Sequence, residues 1–249
     1  VRRRRLVAAA IAGATAGAVL LAWPITGRTL LDRADGGTGR APAAARRVRP
    51  GLERALAGMG LRFGAPVFLR VLKEEGVLEL FVDDGVRFRL FRTHGICMYS
   101  GGLGPKRRQG DGQAPEGFYR VRRGQLNPYS NYHLSFDLGY PNAYERAQGW
   151  TGSLLMVHGS CVSIGCYAMT DAGIEEIYTL VDAALTGGQD AVPVHAFPFR
   201  LDAADAPARV AASEFRDFWS QLREGYLAFE REGRLPLPRV RDGRYAFDP

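Results

Sequence analysis

Residues 66–102 read PVFLRVLKEEGVLELFVDDGVRFRLFRTHGICMYSGG, a pattern that alternates instead of recurring at helical spacing. Val86, Phe88 and Leu90 alternate with Arg87, Arg89 and Phe91, the period of a half-buried strand. Asp83-Asp84-Gly85 is a hairpin turn linking that strand to VLELFV. Residues 101–121 hold too much Gly and Pro for a helix and read as a functional loop ending in a strand over 118–121. Further strands are expected over 132–138, over the apolar GSLLMVHG that ends at His158, and over 192–201. His133 and His195 then fall within strands, and His94 near a strand end, as packed or surface imidazoles. Two helices stand out. Thr170 caps one whose Ile174, Ile177, Val181 and Leu185 recur at helical spacing until Gly187-Gly188 stops it. The other follows Ser213, with Phe215, Phe218, Trp219, Leu222, Tyr226 and Phe229 forming an apolar stripe. With no βαβ alternation, internal repeat or glycine-rich phosphate loop, the fold class is mainly β with packed helices, α+β and mostly antiparallel.

The net charge of +7 over 249 residues invites a nucleic-acid reading until the charge is located. Residues 1–50 carry ten Arg against two Asp, whereas residues 51–249 carry 23 Lys and Arg against 24 Asp and Glu. The folded part is near neutral, so a nucleic-acid partner is not expected. The basic excess belongs to VRRRR and the twenty uncharged residues behind it, 6–25, an arrangement expected of a membrane anchor or an export signal over 1–25. Residues 26–50, rich in Gly, Ala, Pro and Arg, read as a linker. Export would place the remainder outside the cytoplasm, where disulfides persist.

HGSCVSIGC, residues 158–166, gathers two of three cysteines and one of four histidines. Three chemistries are open: a metal knuckle, a disulfide, or a nucleophile beside its base. A structural zinc site wants close ligand pairs, and no CxxC spacing exists, so no metal is expected. Cys97 and Cys161 each follow a His-Gly strand end and are the favoured disulfide, leaving Cys166 free. Cys166 follows the small-residue turn Ser163-Ile164-Gly165 just ahead of the helix at Thr170. Backbone N–H groups of such a turn can hold an oxyanion, and the helix N-terminus would favour a thiolate modestly. His158 is close enough along the chain to serve as its base, with inert burial of both residues the competing reading.

GGLGPKRRQGDGQAPEGFY followed by VHGSCVSIGCYAMT resembles the L,D-transpeptidase catalytic-domain (YkuD) family, and within it a YafK-like subgroup. The likeness runs from about residue 65 to 248 and includes YPNAYERA, FPFRL and FRDFWSQLREGY. It implies a β-sandwich or barrel-like catalytic domain over 51–249 with a C-terminal helical extension, needing no cofactor. It also implies a nucleophile at Cys166, a base at His158 and a Gly159 carbonyl orienting the imidazole. An oxyanion would rest on the N–H groups of Gly165 and Cys166. Ile164 stands where many members carry a histidine. The chemistry so implied is attack on the diaminopimelate carbonyl of a peptidoglycan stem peptide, release of D-alanine, and passage of the acyl group from cysteine to an amine. The alternative in the subgroup is amidase action on the diaminopimelate–lysine link to a wall-attached lipoprotein or outer-membrane protein; a non-catalytic peptidoglycan-binding module is the third. Arg108, Tyr140 and Asn142 are the expected substrate contacts. The expected location is periplasmic, held to the inner membrane by residues 1–25 or released after cleavage.

Overall fold

The computed structural model describes residues 39–248. The order is α1 (Arg40–Gly58), β1 (Val67–Leu72), β2 (Val77–Asp83), β3 (Phe88–Met98), β4 (Gly117–Val121), β5 (Leu126–Asn127), β6 (Ser135–Asp137), α2 (Ala143–Ala147) and β7 (Met156–His158). It continues with β8 (Tyr167–Met169), α3 (Asp171–Thr186), β9 (Val192–Phe197), α4 (Ala206–Ala212), α5 (Arg216–Glu232), β10 (Leu237–Arg241) and β11 (Arg244–Asp248). Nine strands form one sheet in the order β4-β9-β1-β2-β3-β8-β7-β6-β5, antiparallel except for the β1–β9 and β7–β8 pairs. This is a mainly β, α+β architecture.

The eleven-residue β3 joins the two halves of the sheet. Its first part pairs β2, and its last residues pair β8. Ile96 faces Met169 while Met98 faces Ala168, so Cys97 is an extra residue in the ladder. A bulge of this kind bends the strand and re-aims the side chain it carries. Cys97 is bonded to Cys161, 1.95 Å between sulfurs, which ties β3 to the segment between β7 and β8. With both sulfurs so used, a metal knuckle built on them is ruled out.

One core packs the sheet against α1 and α3 through residues such as Leu52, Leu56, Phe136, Val157, Tyr167 and Ile177. A second, largely aromatic core holds α4, α5 and the β10–β11 hairpin around Phe197, Phe218, Trp219 and Tyr226. The stripe on α5 therefore packs as core.

Several expectations need correction. The linker reading of 26–50 fails from Arg40 onward, where α1 begins. Pro42 lies in its first turn, where an N–H would be unbonded anyway. Pro50 sits inside the helix, and burial of Ala44, Leu52 and Leu56 offsets its missing bond. The strand expected over 132–138 shrinks to Ser135–Asp137, because His133 has φ +66° and turns the chain there. GSLLMVHG contributes only Met156–His158 to a strand, with Leu154 exposed at φ +57°. The C-terminal extension is not only helical. It ends in a hairpin whose turn residues Asp242 and Gly243 both have positive φ, as a tight two-residue turn demands. The apolar residues 6–25 lie outside the described residues, and among those described no helix is long and apolar enough to cross a membrane.

Candidate active site

The parallel pair β7–β8 brings the two ends of HGSCVSIGC together. Val157 faces Tyr167 and His158 faces Ala168. Continued one step outward, the same register sets Cys166 opposite Met156, and the Met156 N–H approaches Cys166 Sγ at 3.4 Å. Side chains two apart share a sheet face. Met156, His158, Cys166 and Ala168 thus emerge on one face, while Val157, Tyr167 and Met169 enter the core. His158 and Cys166 are diagonal neighbours on that face, within reach for adjacent strands.

The imidazole is held firmly. Its Nδ1 lies 2.6 Å from the Gly159 carbonyl oxygen. A carbonyl only accepts, so Nδ1 carries the proton and Nε2 keeps the lone pair. His158 is 3% exposed, with the Tyr132 ring 4.9 Å from its own, tilted by 37°. Burial lowers the imidazole pKa, against the opposing pull of the Gly159 carbonyl, so the ring rests neutral. Gly159 is glycine for want of room. A Cβ there would stand 2.6 Å from Asp171 Oδ1, 3.0 Å from His133 Cβ and 3.1 Å from Ile174 Cγ2. Any side chain would push the carbonyl off the imidazole.

The sulfur sits in a different setting from the one expected. Burial, first among the causes, raises the Cys166 pKa, and nearby Asp137 adds to the rise, outweighing Met156 N–H and Lys106. The expected thiolate bias from the helix N-terminus is overridden: Thr170 Oγ1 caps α3 by accepting from Gly173 N–H at 3.1 Å, and the group stays a thiol. The thiol lies 3.7 Å from the Leu154 carbonyl oxygen, as an S–H donor would. A neutral thiol and a neutral imidazole on one sheet face suit base-assisted attack and not a preformed ion pair.

The turn before Cys166 is braced by Ser163, whose hydroxyl donates to the Cys166 carbonyl at 2.7 Å and accepts from Gly165 N–H at 3.2 Å. Gly165 has φ +137°, a conformation other residues rarely adopt. Ile164 stands on the outside of this turn, 92% exposed. Around the site four non-glycine residues hold positive φ, namely His133, Leu154, Ser160 and Cys161. Backbone outliers of this sort gather where a structure over-determines its geometry for function.

The loop over 101–116 is pinned from beneath by a buried network. Lys73 Nζ donates to the Gly104 and Ala114 carbonyls and to Glu116 Oε1 at 3.0, 3.1 and 3.0 Å, and Trp219 Nε1 donates to Glu116 Oε2 at 2.8 Å. Within the loop, Asp111 accepts from Lys106 Nζ and from the N–H groups of Arg107, Arg108 and Gln113. Burial would raise that carboxyl, but these donors outweigh it and hold it at about 2.

The three expected substrate contacts separate. Arg108 lies exposed on this loop. Tyr140 is 5% exposed, and its hydroxyl donates to the Lys106 carbonyl at 3.0 Å. Asn142 caps α2, accepting from Glu145 N–H at 3.0 Å and donating to the Phe118 carbonyl and Tyr245 hydroxyl at 3.1 and 2.8 Å. Tyr140 and Asn142 therefore make these hydrogen bonds within the protein, whereas Arg108 points its charge to the surface. Two of the remaining histidines are committed elsewhere. His195 is buried among Phe68 and Phe118, which lowers its pKa to about 3, and His133 Nε2 pairs with Glu175 at 2.8 Å. Sequence patterns pointed to neither Tyr132 over His158 nor Asp111 within the loop, because both act through partners distant in the chain.

Residues 66–195 match the sequence model of YkuD, the L,D-transpeptidase catalytic domain, a segment that includes His158 and Cys166. The chain is 50% identical over 182 residues to "Putative L,D-transpeptidase YafK" of Escherichia coli (strain K12), spanning 73% of this chain and 74% of that protein, with the same values for the O157:H7 protein. Among solved structures, the helical cell shape determining protein Pgp2 of Campylobacter jejuni aligns at a TM-score of 0.44 and 18% identity, covering 77% of this chain and 80% of that one. The chain belongs to the L,D-transpeptidase catalytic-domain (YkuD) family.

Proposed function

We propose that this protein is a peptidoglycan L,D-transpeptidase that works through an acyl-cysteine at Cys166. The observation that carries the reading is the sharing of one sheet face by Cys166 and a His158 whose Nδ1–H is fixed on the Gly159 carbonyl. That bond leaves Nε2 as the only basic nitrogen. In the reaction, Nε2 takes the thiol proton as sulfur attacks the carbonyl at the L-centre of diaminopimelate. The oxyanion forms against the N–H groups of Gly165 and Cys166, displacing the long Ser163 contact. The C–N bond breaks, the imidazolium returns its proton to the leaving D-alanine nitrogen, and a thioester remains. An acceptor amine then gives its proton to His158 as it attacks, and the thiol is regenerated. Exposed Arg108 beside this cleft would meet the carboxylates of a stem peptide. The disulfide between Cys97 and Cys161 supports an oxidising, extracytoplasmic location.

Incubation of the full chain with defined muropeptides, read by mass spectrometry, tests the reading. New crosslinks or D-amino-acid exchange, lost in Cys166→Ala, are expected. Loss of a diaminopimelate-linked lysyl peptide without a new amide product would redirect the assignment to an amidase. Full activity in Cys166→Ala, or a covalent adduct on another residue, would sink it.

A further inference from the structure

We propose that Arg40 and Glu175 form a clamp that sets the orientation of His158 through Tyr132, making α1 a working part of the candidate active site although it lies ahead of the matched family segment. The inference rests on His158 acting as the base. Helix α1 is seated by Leu52 and Leu56 in the core it shares with α3, and Arg47 binds Glu175 of α3. Its first residue, Arg40, reaches across to the strap over 128–134, donating from Nη1 to the Ser130 carbonyl at 2.6 Å and to the His133 carbonyl. Glu175 holds the same strap a second time, through His133 Nε2.

Between these fixed points lies Tyr132, 47% exposed, its ring over His158 and its carbonyl accepting from Gly159 N–H at 3.0 Å. Gly159, whose carbonyl orients the imidazole, is therefore tied through its N–H to Tyr132, with a second, longer contact to the Leu134 carbonyl at 3.2 Å, and the neighbours of Tyr132, Ser130 and His133, are held by Arg40 and Glu175. His133 holds φ +66° to place its carbonyl toward Arg40 and its ring toward Glu175. A strap with no strand ladder of its own over 128–134 relies on such side-chain ties for its position. These groups act through His158 without touching the reacting atoms, so they are positioning residues.

The test follows acylation of Cys166 by a carbapenem in the full chain, with intact-mass spectrometry giving the maximal rate and the half-saturating concentration. Arg40→Ala should lower the maximal rate by about tenfold or more, since small displacements of a catalytic group are costly, while the half-saturating concentration stays put. Arg40→Lys, which keeps the charge and a donor, should recover part of the rate, and Tyr132→Ala should repeat the Arg40→Ala effect. Arg54→Ala, on an exposed position of α1, should leave both values unchanged. Wild-type rates in both Arg40→Ala and Tyr132→Ala would overturn the clamp and leave the proposed function standing. A wild-type Cys166 that takes no acyl group would overturn both.

Discussion

At the residue scale, the resting state of Cys166 decides what can be measured. A thiol raised by burial and lying against the Leu154 carbonyl gains its nucleophilicity only when a base removes the proton. His158, lowered by burial, is neutral and able to accept it near neutral pH. Alkylation of Cys166 by iodoacetamide should accordingly rise with pH along a curve whose midpoint lies above the ordinary thiol value of about 8.5. A plateau already reached near pH 6 would mean a stored thiolate–imidazolium pair and would contradict this account. The two small residues of the motif have distinct jobs. Gly159 lets β7 end against Asp171 and Ile174, whereas Gly165 turns the chain at φ +137° so that Cys166 enters β8 in register.

At the element scale, the segment between β7 and β8 is a turn stretched between two strands of the sheet and fastened at its middle. Ser160 and Cys161 hold positive φ there, and the Cys161 sulfur is bonded to the bulged Cys97 of β3. The bond spans a sequence separation of 64. Replacing both cysteines by serine leaves Cys166 as the sole thiol and should cost about 2–4 kcal/mol of stability, seen as a lower urea midpoint. Freed from β3, the turn should also slow carbapenem acylation of Cys166. Unchanged stability and unchanged acylation in the double variant would show that the tie bears on neither. The Lys73–Glu116 network does a comparable service for the loop over 101–116. It joins the end of β1, the loop and α5, so the loop is positioned by elements far apart in the chain.

At the scale of the whole molecule, buried titratable groups link stability to pH. Burial raises the Glu145 carboxyl to about 7, with Tyr119 and the Asn142 N–H pulling the other way. The Tyr119 hydroxyl donates to the Glu145 carboxylate and lies 3.1 Å from the Glu116 carbonyl, so that once Glu145 is protonated the hydroxyl can turn to that carbonyl and accept from the carboxyl instead. Because the folded value exceeds the unfolded one, this group stabilises below about pH 4.5 and its contribution is lost as pH rises through about 7. The buried histidines, lowered by burial, act oppositely below about pH 6.5, so their slope must be subtracted. Glu145→Gln preserves the donor to Tyr119 and cannot ionise. Its thermal midpoint should gain on that of the wild type as pH rises from about 5 to about 8, by no more than the equivalent of about 3 kcal/mol. A difference flat with pH would place the charge elsewhere.

Local pattern determined a good deal. The Asp83-Asp84-Gly85 turn set the β2–β3 hairpin, although Val86 lies outside β3 and the alternation did not bury Leu90, and Thr170 with Gly187 bounded α3, because near-neighbour sterics and capping act within a few residues. The Asp242-Gly243 turn was equally local, but the strands beside it are short and polar enough to be passed over. Helix α1 was hidden by Pro50 and a run of arginines, since its helicity comes from packing on α3 and its arginines reach carbonyls of the strap over 128–134 and the Glu175 carboxylate of α3. His158 and Cys166 could be named from spacing and family likeness. Their common face, the protonated nitrogen of the imidazole, the raised thiol and the inward commitment of Tyr140 and Asn142 were decided only by tertiary structure. Each depends on strand register or burial, which are set by contacts between residues distant in the chain.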